Sequence, residues 1–268
     1  MDLSIVIPVY NSENIIENLI KKIIKSIKEL KTVTSYEILL INDFSPDNSW
    51  GKISLLSKQF SEVKGIDLSA NFGQHNAIMC GLRESKGEIT ITMDDDLQHP
   101  PESIKDLITK LEQGFDVCYT NYLNRKHPMW KKFVSWSNNL VSSYLLNKPY
   151  YIYLSSFRGF KKKIVKKIIH YEKSDVYLDG LILQATRNIA MISVPHSQRP
   201  QGQSNYNLKK LLSLWSNMAV NFPVFPLRIS TILGLTIKFF ILFIRKILFL
   251  GKQSNRIQYS IAKKTYQD

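Results

Sequence analysis

Three consecutive aspartates, Asp94, Asp95 and Asp96, close an apolar run that begins at Ile89. Like charges side by side repel, so the cluster reads either as a solvated turn or as a cation site. In an extended stretch alternate side chains share a side, which pairs Asp94 with Asp96 and carries the alternation on to Gln98. Two carboxylates and an amide are hard oxygen ligands. They suit Mg²⁺ or Mn²⁺, which take one or two carboxylates together with substrate phosphate oxygens. Asp95 then points elsewhere and is expected to be replaceable. Other acids lie near the ends of earlier apolar runs: Asp43 and Asp47 in "INDFSPDNS" and Asp67 in "VKGIDLS". His75, His99, His127, His170 and His196 show no metal-ligand spacing and read as surface or packing residues, His99 at a helix entry.

These groups need elements to hold them. "LSIVIPVY" is a β-branched run of strand length, and the helical pattern after it places Ile15, Leu19, Ile23 and Ile27 on one face, with Asn11 or Ser12 as cap. "YEILLIN", "VKGIDLS", "EITITM" and "FDVCYTNYL" read as four more strands. They alternate with helical patterns in "WGKISLLSKQF", "GQHNAIMCGLRESKG" and "PPESIKDLITKLEQG". Such alternation predicts an α/β domain with a mainly parallel sheet, whose ligands bind at the carboxyl ends of the strands. The acids sit at those ends. From Lys126 to Lys173 the chain is basic and aromatic and reads as helices and loops laid over the sheet. Within it, Lys161 to Lys167 reads as a solvated helix face. A strand end falls near "SVPHSQRPQGQSNY".

Hydrophobic residues make up 44% of the 268, enough for a well-buried core and against disorder. The formal charge is +14, and the last 43 residues hold eight Lys or Arg against one acid, so anionic partners are expected there. Cys80 and Cys118 are read as reduced core thiols. The start "MDLSIVIPVYN" lacks the basic opening and long apolar stretch of a signal peptide, so the body is expected on the cytoplasmic side.

Six ordered motifs carry a resemblance: "SIVIPVYNSE", "LLINDFSPDNS", "LSANFGQHNAIMCGL", "ITITMDDDLQHPPE", "SSFRGFKKKIV" and "RPQGQSNYNLKKLL". Over roughly residues 3 to 235 the chain resembles family 2 glycosyltransferases. Within them it looks most like the polyprenyl-phosphate branch, which includes dolichyl-phosphate mannosyltransferase and undecaprenyl-phosphate 4-deoxy-4-formamido-L-arabinose transferase. The resemblance implies a GT-A fold, a Rossmann-like mixed and mainly parallel sheet flanked by helices, with C-terminal juxtamembrane amphipathic and hydrophobic helices. It implies a nucleotide-sugar donor, a polyprenyl-phosphate acceptor and Mg²⁺ or Mn²⁺, in the service of cell-envelope glycan synthesis. By position it assigns Pro8, Tyr10, Glu13 and Asp43 to the nucleotide base. It assigns Asn71 and Gln74 to the ribose and phosphates, and Asp94, Asp96 and Gln98 to the metal. Arg158, Arg199 and Arg125 fall to the phosphates of donor and acceptor, with Lys131 or Lys132 beside them. Ser12 stands where the family usually has an acid, Asn42 where a second Asp is common, and Asp95 in a slot often held by Ala.

The domain reading that follows is a catalytic domain over 1–206, membrane-associated helices over 207–250 and a basic polar tail over 251–268. Ile229 to Leu250 is apolar but interrupted by Lys238, Arg245 and Lys246. A Lys near the middle of a span costs about 2.5–3.5 kcal/mol on insertion scales. A peripheral or monotopic helix on the cytoplasmic face of the inner membrane is therefore expected, with one tilted span as the alternative. Anionic lipid is an expected partner and nucleic acid is not; oligomeric state is not legible. Two rival functions are extension of a lipid-linked glycan at a sugar hydroxyl and an inactive membrane scaffold.

Overall fold

The computed structural model describes residues 1–122, 149, 152–174, 176–195 and 261–266. The first half alternates as the pattern predicts. Strands β1 (Leu3–Val9), β2 (Tyr36–Asn42), β3 (Val63–Leu68) and β4 (Ile89–Thr92) are separated by helices α1 (Ile16–Lys28), α2 (Ser49–Gln59) and α3 (Gln74–Glu84). A single 3₁₀ turn, Pro101–Ser103, leads into α4 (Ile104–Glu112) and then β5 (Val117–Tyr122). Strand β6 (Arg158–Lys161), helices α5 (Lys162–Ile168) and α6 (Leu178–Ala185), and strands β7 (Ile189–Val194) and β8 (Ile261–Lys264) follow.

Among the described residues these strands form one eight-stranded sheet in the order β7-β5-β6-β4-β1-β2-β3-β8. The pairs β1/β2, β1/β4, β2/β3 and β5/β7 are parallel. The pairs β3/β8, β4/β6 and β5/β6 are antiparallel. Every residue of β1 is buried, as a strand covered on both faces requires. Its side chains divide between two cores: Leu3, Ile5, Ile7 and Val9 face a layer built by α1, α2 and α4, and Val6 faces one built by α3, α5 and α6. A Cβ at Gly81 of α3 would stand 2.3 Å from Val6 Cγ1, so glycine lets that helix sit close on the sheet.

Three expectations are corrected. Arg158–Lys161, read as part of a segment lying over the sheet, is a strand within it, hydrogen-bonded between β4 and β5. Neither the Asn11 nor the Ser12 side chain caps α1; the helix opens at Ile15 without a side-chain cap. The Ser12 carbonyl instead takes the N–H groups of Ile15 and Ile16. The tail read over 251–268 contributes β8, which pairs with β3, and the Gly65 N–H donates to the Thr265 hydroxyl at 2.6 Å. The membrane-associated segment 207–250 lies outside the described residues. Among those described, no helix is long and apolar enough to cross a membrane. Cys80 and Cys118 are buried and form no disulfide, and burial pushes the Cys118 thiol up to about 12.

One buried charge near the amino end of β2 sets a pH dependence. Glu37 is 1% exposed and accepts from the Ser4 hydroxyl at 2.6 Å, Lys64 Nζ at 2.7 Å and the Lys86 N–H at 2.7 Å. Burial works to raise its pKa, but these three donors outweigh it and hold the carboxyl below its ordinary value of 4.5. A depressed carboxylate contributes stability above the unfolded value, and that contribution is lost as pH falls through the folded one. Glu37→Gln is therefore expected to cost about 2 kcal/mol near neutral pH. The gap between wild type and variant in urea midpoint should narrow below about pH 4. A gap that stays constant from pH 7 to 3 would count against this account.

Candidate active site

The carboxyl ends of β1, β2, β3 and β4 lie on one edge of the sheet, and their loops are laced together by side chains far apart in sequence. Tyr10 and Asn11 follow β1, and the Asp43 N–H donates to the Val9 carbonyl at 2.9 Å, so the turns after β1 and β2 leave the sheet side by side. The Asn11 N–H donates to Ser45 Oγ at 3.2 Å. Glu13 and Asp47 lock the same two loops reciprocally. The Glu13 N–H donates to Asp47 at 3.0 Å and the Asn48 N–H to Glu13 at 2.8 Å.

Asp43 is 4% exposed, and its two carboxylate oxygens accept the N–H groups of Phe72 at 2.8 Å and Gly73 at 2.9 Å. Gly73 holds φ 87°, a conformation that suits glycine and turns both amides toward the carboxylate. Burial raises the Asp43 pKa, and those two donors oppose it. Asn42, one residue earlier, donates to Asp67 at 2.7 Å and accepts from Ser45 at 2.5 Å. Asn71 is exposed, and its amide donates to the Asp43 carbonyl at 3.2 Å.

The loop after β4 carries the three aspartates. Asp94 accepts from the Gln74 amide at 2.6 Å on one oxygen and from the Ser156 hydroxyl at 2.6 Å on the other. Its N–H donates to His99 Nδ1 at 3.0 Å, and the His99 ring stacks on Phe157 with centroids 5.1 Å apart. His99 is thus a buried tie within this loop, not simply a helix entry. Asp96 accepts the Gln98 N–H at 3.1 Å across a turn in which Leu97 has φ 60°. Asp95 takes partners other than those of Asp94 and Asp96, and the expectation that it is replaceable is corrected. Its Oδ2 takes both the Ser12 hydroxyl at 2.5 Å and the Tyr10 N–H at 3.0 Å, so it ties the aspartate loop to the loop after β1. Burial lifts its pKa to about 6, helped by the neighbouring charges of Asp94 and Asp96 and opposed by those two hydrogen bonds.

Among the described residues, three non-glycines have positive φ: Asn11, Phe44 and Leu97. They follow β1, β2 and β4 respectively, so backbone strain gathers on this one edge, where functional sites commonly store it.

Pro8 is buried within β1, whereas Tyr10 is 52% exposed. Arg158 stands opposite Thr92 of β4 and Tyr119 of β5, with its side chain turned into the core and 2% exposed. It pairs with Asp179, which also accepts from the Tyr119 hydroxyl at 2.8 Å. Burial alone would depress the Arg158 pKa, but the Asp179 carboxylate and the Tyr119 phenol outweigh it, so the guanidinium stays charged. Arg158 is therefore set among buried partners and not displayed on the surface of the edge. Arg125, Lys131, Lys132 and Arg199 lie outside the described residues.

Asp94 and Asp96 offer hard oxygen ligands of the kind a divalent cation takes. The Asp94 oxygens are oriented by Gln74 and Ser156, the kind of outer-shell support that ligating carboxylates receive. Among the described residues no cluster of three or more His, Cys, Asp or Glu forms a cage. A pair of carboxylates completed by substrate phosphates and water is the usual arrangement for Mg²⁺. Sequence reading missed Ser156, Asp179 and the tie made by His99, because each acts through a partner far along the chain or through burial.

The sheet order, the parallel core with its antiparallel insertion and the aspartate loop at the strand ends together define a GT-A-type α/β fold. The family profile "Glycosyl transferase family 2" matches residues 4–169. The undecaprenyl-phosphate 4-deoxy-4-formamido-L-arabinose transferase of Proteus mirabilis (strain HI4320) is 32% identical over 233 residues, 87% of this chain and 71% of that protein. The protein of the same name from Shewanella sediminis (strain HAW-EB3) is 34% identical, over 87% and 70%. This chain belongs to glycosyltransferase family 2. Among solved structures, glucosyl-3-phosphoglycerate synthase from Mycobacterium tuberculosis with Mn²⁺, UDP-glucose and phosphoglyceric acid superposes with a TM-score of 0.59 at 15% identity. That match covers 83% of this chain and 80% of that one. S. aureus TarS 1-349 gives a TM-score of 0.51 at 18% identity, over 73% of this chain and 59% of that one. These two likenesses concern the fold alone.

Proposed function

We propose that this chain is an inverting glycosyltransferase that moves a sugar from a nucleotide-sugar, with UDP as the preferred carrier, to a polyprenyl phosphate such as undecaprenyl phosphate. The observation that carries the reading is the lacing of the Tyr10, Asp43, Asn71–Gln74 and Asp94–Gln98 segments along one sheet edge. The relatives named for transfer to undecaprenyl phosphate support the acceptor.

In this reading Tyr10 and Asp43 receive the base, Asn71 and Gln74 the ribose and diphosphate, and Asp94, Asp96 and Gln98 hold Mg²⁺ or Mn²⁺. The cation would neutralise charge developing on the leaving nucleoside diphosphate. A polyprenyl monophosphate is already largely ionised near pH 7, since its second pKa is about 6. One of its oxygens attacks the anomeric carbon as the bond to the diphosphate oxygen breaks, inverting that centre. No base is required, and the protein supplies position and positive charge. Arg125 and Arg199 fill the second role; Arg158 stands behind them, held by Asp179, with an Nε that has no hydrogen-bond partner among the described residues. A sugar-hydroxyl acceptor would need a free base. Asp43 is held by two amides and Asp179 by Arg158 and Tyr119, which favours the phosphate acceptor.

We further assign residues 1–206, together with strand β8, to the catalytic domain and 207–250 to peripheral or monotopic attachment to anionic lipid at the cytoplasmic membrane face. Incubating membranes that hold the full chain with radiolabelled nucleotide-sugars, undecaprenyl phosphate and Mg²⁺ or Mn²⁺ is expected to give labelled lipid with inverted anomeric configuration. Unlabelled lipid with every common UDP- and GDP-sugar, or a retained anomer, would sink the reading.

A further inference from the structure

We propose that Phe44 forms a second aromatic wall of the nucleotide site, stacking on the base of the donor beside Tyr10. The inference rests on the reading of this edge as a nucleoside-diphosphate site and adds a residue that the motif comparison did not assign.

Phe44 combines two features that the fold gives no reason for. Its backbone sits at φ 55°, a left-handed conformation that a side-chain-bearing residue adopts only at a cost. Its side chain is 57% exposed, so that cost is not returned by packing in the core. Glycine would serve the turn better. Strain of this kind persists where the surroundings enforce it, and it concentrates at ligand sites.

The position supplies the ligand chemistry. Phe44 directly follows Asp43, whose N–H is fixed to Val9, and it precedes Ser45, whose hydroxyl receives the Asn11 N–H. The turn bearing Tyr10 and the turn bearing Phe44 are therefore bound to each other at both ends. Among the described residues the large exposed apolar side chains are Met1, Tyr10, Phe44 and Leu55. Two of these four are aromatic and stand on adjoining turns at the strand-carboxyl edge. Flanking them are Asp43, held by backbone amides, and the exposed Asn71 amide. Flat apolar faces beside fixed polar groups suit a nucleobase, which offers a π-face and a hydrogen-bonding rim. An exposed Phe also has only two side-chain torsions to immobilise when a base docks, so ordering costs little.

The test uses the full chain with Phe44→Gly and Phe44→Trp, titrated with UDP, and with GDP as a second probe, in the presence of Mn²⁺. Phe44→Gly is expected to raise the thermal midpoint, because the turn is relieved, while weakening nucleotide binding about tenfold, the scale of one lost base-aromatic stack. Phe44→Trp is expected to keep or tighten binding without raising the midpoint. Opposite movements of stability and affinity are a signature that a packing role would not give. Wild-type affinity in Phe44→Gly, or a lower midpoint in it, would overturn the inference and leave the proposed function standing. Failure of the wild-type chain to bind either nucleotide would remove both.

Discussion

Asp96→Ala is expected to lower sugar transfer about 10³-fold, roughly 4 kcal/mol of transition-state stabilisation, while the chain stays folded. The asymmetry follows from where Asp96 sits. It is only half-buried, and one bond that it accepts, from the Gln98 N–H, spans two residues of one turn. Removing that acceptor should cost about 1 kcal/mol, because water can reach the freed amide. Its proposed role on the cation, by contrast, bears on charge that develops only as the diphosphate departs. Asp96→Asn sharpens the separation: an amide oxygen can still accept from Gln98 and keep the turn, yet it brings no charge. That variant should melt with wild type and still lose at least a hundredfold in transfer, by the scale of lost electrostatic stabilisation. Transfer above a tenth of wild type in either variant, measured with saturating Mn²⁺, would refute the metal role assigned to Asp96.

Asp179→Ala should be the most destabilising substitution on the site side of the sheet, at about 3–5 kcal/mol. It leaves the Arg158 guanidinium buried beside Tyr119 and Phe160 with its counter-charge gone. Arginine cannot escape by losing its proton. Arg158→Met should cost less, because the remaining Asp179 still accepts from the Tyr119 hydroxyl. The triple change Arg158→Met, Asp179→Leu, Tyr119→Phe removes charge and hydrogen-bonding groups together. It should recover most of the lost stability, since well-packed apolar replacements of buried ion pairs are often neutral. Urea unfolding of the three variants decides it: equal losses for Asp179→Ala and Arg158→Met, or no recovery in the triple, would show that charge burial is not the controlling cost.

The first five strands and the four helices among them were legible because their signals are local. β1 to β5 are apolar runs bounded by turn residues, and of the expected α1 face Leu19, Ile23 and Ile27 are buried, joined by Ile16, Ile20 and Ile24, while Ile15 is the half-buried cap. β6 was not legible. "RGFK" is four residues with two basic side chains and a glycine, and its arginine looks like a surface residue until Asp179 is seen beside it. β8 reads as a polar tail until β3 is there to pair with it. The site divides the same way. Alternation separated Asp95 from Asp94 and Asp96, but nothing local could show that Asp95 reaches Ser12 and Tyr10, 83 and 85 residues earlier. Motif order located the edge; the hydrogen bonds that hold its loops together are long-range and needed the fold.

The pairing of β8 with β3 also bears on how the sheet meets other molecules. β7 and β8 lie at its opposite margins. A strand at a margin offers a row of unpaired N–H and C=O groups to any other extended chain. On the β3 side that row is met from within the chain by Ile261–Lys264. β8 is itself four residues long and carries two lysines, features that blunt a sheet margin against pairing with another molecule.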